Sequence, residues 1–222
     1  MNKPPRRSAE LRRPEVYCIT DARLSPLSLE EQAAAFASGG AQLVQLRAKQ
    51  LSDAEFAVVA RRCLAICADA GATLVINDRA QIAAEIGAPG LHLGQDDLSP
   101  TAARGIIGDG TLIGVSTHTR EQFLAALAEP VDYIALGPVF GTSTKENPDL
   151  PPGMDLVAEA AQRLENDARP LVLIGGITRE KLSELQRIAP RAILAVISDV
   201  LRAPDVAARV REYRRLMGDV HR

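Results

Sequence analysis

From Val16 onward the chain alternates eight times between a short run of β-branched or aliphatic residues and a longer amphipathic stretch. The short runs are Val16–Thr20, Leu43–Arg47, Thr73–Ile76, Gly90–Leu93, Leu112–Val115, Tyr133–Leu136, Leu171–Ile174 and Ala192–Val196, each of strand length. Between them Ser28 with Glu31, Ser52 with Glu55, and Thr119 with Gln122 stand at capping-box spacing, where side chains and backbone satisfy each other at a helix start. Ser99 before Pro100 predicts a further N-cap, with proline in the first turn. Strand followed by helix, repeated, implies parallel neighbours, because a parallel pair needs a crossover connection and a helix is the usual one. Eight such units predict an α/β fold, a single closed (β/α)8 TIM barrel. An open doubly wound sheet is the competing architecture, but its glycine fingerprint is missing after the first strand, where Asp21 to Leu24 follow.

The 222 residues, 46% hydrophobic and 24% charged, suffice for one large core. The barrel is expected to span residues 15–222. Residues 1–14 carry Lys3, Arg6, Arg7, Arg12 and Arg13 with paired prolines and little to bury, which predicts a basic, solvated tail. A net charge of −2, with no dense basic stretch in the folded part, argues against a nucleic-acid partner. No apolar run is long enough to cross a bilayer, and no membrane partner is expected. Cys18, Cys63 and Cys67 cannot complete a disulfide framework, and nothing resembles a secretion signal, so the expected location is the cytoplasm. Cys63 and Cys67 lie four apart in a helical pattern, but no other Cys or His stands at zinc-site spacing, and both are expected to be core thiols.

In such a barrel the reacting groups gather where strands end and the following loops begin. The second strand ends in Gln45, Arg47 and Lys49, which alternate and therefore share one face. The third ends in Asn77-Asp78, and the fourth runs into Gln95-Asp96-Asp97. Carboxylates from adjacent strands at one mouth suit Mg2+, which takes one or two of them and completes its shell with water and substrate phosphate. A lone aspartate would more simply cap a helix. Ser116 and His118 follow the fifth strand, the serine as a hydroxyl donor or a helix cap, the histidine as an acid or base or as polar surface. The stretch from Gly137 to Gly153 is long for a βα connection and carries Thr142, Ser143, Thr144 and Lys145, which predicts a lid. Gly175-Gly176 after the seventh strand, and Ile197-Ser198 after the eighth, occupy the usual phosphate-binding position of this fold.

Taken in order, the segments QLRAK, IND, HLGQDD, GVSTH, TSTK, IGGI and AVIS resemble those of the thiamine phosphate synthase family, from about Tyr17 to Ser198. The resemblance implies coupling of 4-amino-2-methyl-5-hydroxymethylpyrimidine diphosphate to a thiazole phosphate, or its carboxylated form, with release of pyrophosphate. It implies that Gln45, Arg47, Lys49, Asn77, Ser116 and Lys145 hold the pyrimidine diphosphate, with Arg47, Lys49, Lys145 and Ser116 acting in catalysis. Asp78 and Asp97 would hold Mg2+. Thr142, Ser143, Thr144, Gly176, Ile197 and Ser198 would bind the thiazole phosphate, in a homodimer. Two features depart from the family's pattern. Gly141 stands where proline is common, and Ala189 to Leu194 replace a Gly-Ala-Asp-Gly-type approach, a change expected to bear on the second phosphate loop. A thiazole tautomerase on the same barrel, with His118 as its loop histidine, and a catalytically silent phosphate-binding relative are the rivals. Asp97 and Lys145 favour the synthase.

Overall fold

The computed structural model describes residues 16–141, 151 and 153–218. Eight parallel strands, β1 (Val16–Ile19), β2 (Leu43–Leu46), β3 (Thr73–Asn77), β4 (Gly90–Leu93), β5 (Leu112–Thr117), β6 (Tyr133–Leu136), β7 (Leu171–Ile174) and β8 (Ile193–Val196), close into a barrel in which β1 pairs with both β2 and β8. The helices are α1 (Leu29–Ser38), α2 (Asp53–Asp69), α3 (Ala80–Ile86), α4 (Pro100–Ile107), α5 (Arg120–Ala126), α6 (Met154–Arg163), α7 (Leu182–Ile188), α8 (Ser198–Leu201) and α9 (Val206–Gly218). All three capping boxes form, and Ser99 accepts from the amide of Ala102 at the start of α4. No described helix is long and apolar enough to cross a membrane.

Two adjustments to the expected boundaries bear on the site. The third strand runs on to Asn77 and the fifth to Thr117, so Ser116 is a strand residue held by ladder hydrogen bonds rather than part of the loop after it. The unusual segment from Ala189 enters the opposite, N-terminal end of β8. There Pro190 and Arg191 line a recess of about 620 Å³ with Leu164 and Arg169, well away from Ile197-Ser198. Most of the departure thus falls on the face that serves stability, and it meets the phosphate loop only through β8 itself.

Period-two alternation divides the apolar residues into two cores. Tyr17, Leu43, Val75, Leu112, Tyr133, Val172 and Ile193 point inward and fill the barrel. Val44, Leu46, Leu74, Ile76, Leu91 and Leu93 point outward and pack with Phe36, Phe56, Phe123 and Tyr213 from the helices. Cys63 and Cys67, both fully buried on α2, belong to that outer core. Gly114 of β5 pairs in register with Tyr133, and a Cβ there would overlap the tyrosine ring, so the glycine is what lets this phenol lie across the barrel interior.

Candidate active site

The C-terminal ends of the strands surround a cavity of about 460 Å³. Gln45, Arg47 and Lys49 all line it, although β2 ends at Leu46 and Lys49 stands in the turn that follows, so strand alternation accounts for Gln45 alone. Asn77 and Asp78 enter from β3, Asp97 from the turn after β4, Ser116 from β5 and Ile197 from the end of β8. Gly176 and Ser198 each follow a lining residue, Gly175 and Ile197, and are half-buried at the rim. Thr142, Ser143, Thr144 and Lys145, with most of the expected lid, lie outside the described residues.

The double glycine has a reason beyond anion binding. Both residues have positive φ, 99° at Gly175 and 61° at Gly176. The chain leaving β6 lies directly on them, with Val139 N donating to Ile174 O at 2.8 Å and Phe140 N to Gly175 O at 3.1 Å. A Cβ at either glycine would run into Pro138, Phe140 or the carbonyl of Gly141. Lys181 Nζ then takes the Gly176 carbonyl at 3.0 Å while sitting 4.1 Å above the Phe140 ring. The start of the long loop and the seventh-strand turn are thus one packed unit.

Asp78 sits at φ 64°, the one non-glycine residue with positive φ among those described, and its amide donates to His92 O at 2.9 Å. Such backbone is sparsely populated and collects at functional sites. Asp97 turns one oxygen back onto the amide of Gly94 at 2.7 Å. Burial, then the hydrogen bond and charge of Asp97, push the Asp78 carboxyl up from its ordinary range against a smaller downward pull from Lys49, whose Nζ is 3.4 Å from Oδ2. Among the described residues no three His, Cys, Asp or Glu side chains stand close enough to hold a metal ion by themselves. Two neighbouring carboxylates, one of them pushed towards its protonated form by the other, are nevertheless short of positive charge. That donor set fits a hard cation which keeps waters and takes substrate phosphate oxygens.

Arg47 is aimed by a residue that sequence reasoning did not assign to the site. Asp21, 3% exposed, accepts from Arg47 Nη1 at 3.4 Å and from Arg23 at 3.1 Å, while the Arg47 amide donates to Thr20 Oγ1 at 3.0 Å. Burial pushes the Asp21 carboxyl up, but the hydrogen bonds of Arg23 and the charges of Arg23 and Arg47 together prevail and hold it below its ordinary range. Its signal in the sequence was a carboxylate directly after the first strand.

Also missed was the polar floor of the cavity. Gln45 Nε2 donates to Tyr17 Oη at 2.7 Å, Tyr17 Oη lies 3.0 Å from Tyr133 Oη, and His92 bridges Tyr133 Oη at 2.9 Å to Ser116 Oγ at 2.8 Å. The His92 and Tyr133 rings stack with centroids 5.6 Å apart. Burial raises both phenols above their ordinary range and lowers His92 to about 4, so all three are neutral at physiological pH. Polar side chains at inward positions of β1, β4 and β6 were the available signal. His118, considered above as an acid, a base or surface, faces the same cavity and holds the Gly137 carbonyl through Nδ1.

Comparison with known proteins agrees with this fold. The family model described as thiamine monophosphate synthase matches residues 16–200. The thiamine-phosphate synthase of Mycolicibacterium smegmatis is 43% identical over 196 residues, covering 84% of this chain and 85% of that protein. The enzyme of that name from Chlorobium luteolum is 41% identical over 198 residues, covering 88% and 90%. The solved structure of thiamine phosphate pyrophosphorylase from Pyrococcus furiosus superposes with a TM-score of 0.83 at 27% identity, over 96% of this chain and all of that one. Phosphoribosyl anthranilate isomerase from Thermotoga maritima, at TM-score 0.61 and 18% identity, shares the barrel alone. With a family match over most of its length, two relatives above 40% identity and a full-length superposition, the chain belongs to the thiamine monophosphate synthase family.

Proposed function

We propose that this enzyme transfers the pyrimidinylmethyl group of 4-amino-2-methyl-5-hydroxymethylpyrimidine diphosphate to the ring nitrogen of 4-methyl-5-(2-hydroxyethyl)thiazole phosphate, or of its carboxylated form, releasing pyrophosphate. The observation that carries the site assignment is the meeting of Asp78, Asp97 and Lys49 at the rim of the cavity that Arg47 also lines. A thiazole isomerase has no use for a carboxylate pair beside two cations, so that pair supports the synthase over the tautomerase.

Asp78 and Asp97 would hold Mg2+, which when bound supplies positive charge to the diphosphate and makes it a competent leaving group. Arg47, steadied by Asp21, and Lys49 would bind the same diphosphate where negative charge develops, with Lys145 assigned to it by resemblance. Gln45, Asn77 and Ser116 would orient the pyrimidine. Gly176, Ile197 and Ser198, with Thr142, Ser143 and Thr144, would anchor the thiazole phosphate so that its ring nitrogen faces the methylene carbon. The C–O bond breaks with its electron pair leaving on pyrophosphate, and the amino-bearing ring stabilises the resulting cation. The thiazole nitrogen lone pair then forms the new C–N bond. No side chain needs to act as a nucleophile.

The same reading takes the enzyme to be a cytoplasmic homodimer. The family habit supports the dimer, and three free, buried thiols support the compartment. The test is a product assay with each substrate omitted in turn. Thiamine phosphate should form only with both substrates and Mg2+, and undiminished turnover in excess chelator would refute the metal assignment.

A further inference from the structure

Gln45, Tyr17, Tyr133, His92 and Ser116 come from five different strands, yet they form a single file of hydrogen bonds across the barrel interior. The first four are buried, and Ser116 is the half-buried end that reaches the cavity. Counting protons along the file gives it a direction. Gln45 presents its amide nitrogen to Tyr17, so the Tyr17 oxygen accepts there and its own proton must go to Tyr133. The Tyr133 proton must then go to His92 Nδ1, since a proton already on that nitrogen would leave one buried phenol donor without an acceptor. The ring proton of His92 is therefore on Nε2, which faces Ser116 Oγ at 2.8 Å.

We propose that His92 is a positioning residue: by donating from Nε2 to Ser116 Oγ it turns the serine proton outward into the cavity and makes Ser116 an obligate hydrogen-bond donor. This polarity is opposite to that of a nucleophilic Ser-His pair, in which the imidazole accepts the hydroxyl proton. Ser116 accordingly cannot be activated by His92. It selects a ligand that offers a lone pair at that point. On the functional reading given above, from which the ligand is taken, that lone pair belongs to the pyrimidine substrate. The Gln45 carboxamide sets the direction of the whole file, because exchanging its nitrogen and oxygen would reverse every link and turn Ser116 into a donor to His92.

The test is the tautomer of His92 in the full chain labelled with 15N-histidine, read from two-bond 1H–15N correlations and assigned by the signal lost in His92→Gln. A proton on Nε2 is expected, with a mixture of tautomers in Tyr133→Phe, where the donor to Nδ1 is gone. A proton on Nδ1 in the unmodified chain would overturn the proposal. Kinetics supply the second arm. His92→Gln keeps an N–H directed at Ser116 and should retain kcat within about threefold, whereas His92→Leu should lower kcat about tenfold with KM for the thiazole substrate unchanged, as expected for one lost hydrogen bond. If both variants melt like the parent and are equally slow, the donor role is wrong. Should the parent form no thiamine phosphate, the functional reading fails, while the tautomer still decides the direction of the file.

Discussion

Lys49 Nζ stands 3.4 Å from Asp78 Oδ2, and this one cation only partly offsets the burial of Asp78 and the nearby charge of Asp97. Because the folded-state pKa of Asp78 is raised, its contribution to stability is fully present below the ordinary carboxylate range. That contribution is lost as pH rises through the raised value. In metal-free protein, Asp78→Asn should therefore gain stability on the parent between about pH 4 and neutrality, read as the difference in urea midpoint. Magnesium at about a hundred times its Kd should add roughly 2.7 kcal/mol to the parent and little to the variant. A variant that gains as much from the ion would move the metal elsewhere. Coupling activity of Asp97→Asn should fall by about a hundredfold or more, since even residues behind a metal ligand contribute 10–100-fold.

Asp21 titrates in the opposite sense. Its folded-state pKa is lowered by Arg23 and Arg47 acting together against burial, so the stability it confers is present above the ordinary carboxylate range and disappears as pH falls through the lowered value. Asp21→Asn should be less stable than the parent at neutral pH, with the two curves converging in acid. Arg47 would also lose its anchor. The expected kinetic effect is a rise of about tenfold in KM for the diphosphate substrate with a smaller change for the thiazole phosphate, as follows from weakening one charge-assisted contact. Equal changes in both would show that Asp21 serves the barrel rather than Arg47.

The barrel was legible because its two periodicities are written in apolar residues and its helix starts in capping boxes, such as Ser28 with Glu31, that form as spaced. Gln45 was legible because strand parity sends it into the barrel, and Arg47 and Lys49 because long cations directly after a strand stand at the mouth, although they lie beyond the end of β2. Partnerships across the barrel were not. Tyr17 and Tyr133 lie 116 positions apart and read as ordinary core aromatics until closure brings their hydroxyls to 3.0 Å. Asp21 read as a loop residue because its partner Arg47 arrives from another strand. Gly175-Gly176 read as an anion cradle, although much of their constraint comes from Pro138 and Phe140 lying against them. Local pattern fixes direction and face, and tertiary closure decides which groups meet.

The cysteines give a direct check on the outer core. Burial, with smaller contributions from Cys67 and Glu30, pushes the Cys63 thiol up to about 12, burial pushes Cys67 to about 12, and Cys18 is raised as well. Thiolate is the reactive form, so none of the three should react with a nitrobenzoate disulfide reagent near neutral pH in the native state, and all three should react in denaturant. Rapid native labelling of Cys63 and Cys67 would mean that α2 opens from the barrel.

The proposed phosphate role of Ser198 requires α8 to be held in place, and Asp199 ties α8 to α9. The Asp199 carboxylate accepts from Arg209 Nη1 at 2.8 Å and from the buried Tyr213 hydroxyl at 2.9 Å, with Arg179 Nε at 3.8 Å. Its backbone carbonyl takes Arg209 Nη1 at 3.0 Å. Asp199→Ala would leave the Tyr213 hydroxyl with only the Ile177 carbonyl, at 3.4 Å, and Arg209 with Glu212, and should lower stability by about 1–2 kcal/mol. The freed α8 would no longer fix Ser198, so KM for the thiazole phosphate should rise several-fold while KM for the diphosphate, which is assigned to Arg47, Lys49 and the residues after β3, should stay close to that of the parent. Ser198→Ala separates the two effects, because it removes the hydroxyl without touching the Arg209 and Tyr213 contacts. It should reproduce the change in KM with a melting curve like the parent's. If Ser198→Ala instead weakens both substrates alike, the rim after β8 is not the thiazole-phosphate site, and Asp199 serves only to dock α9.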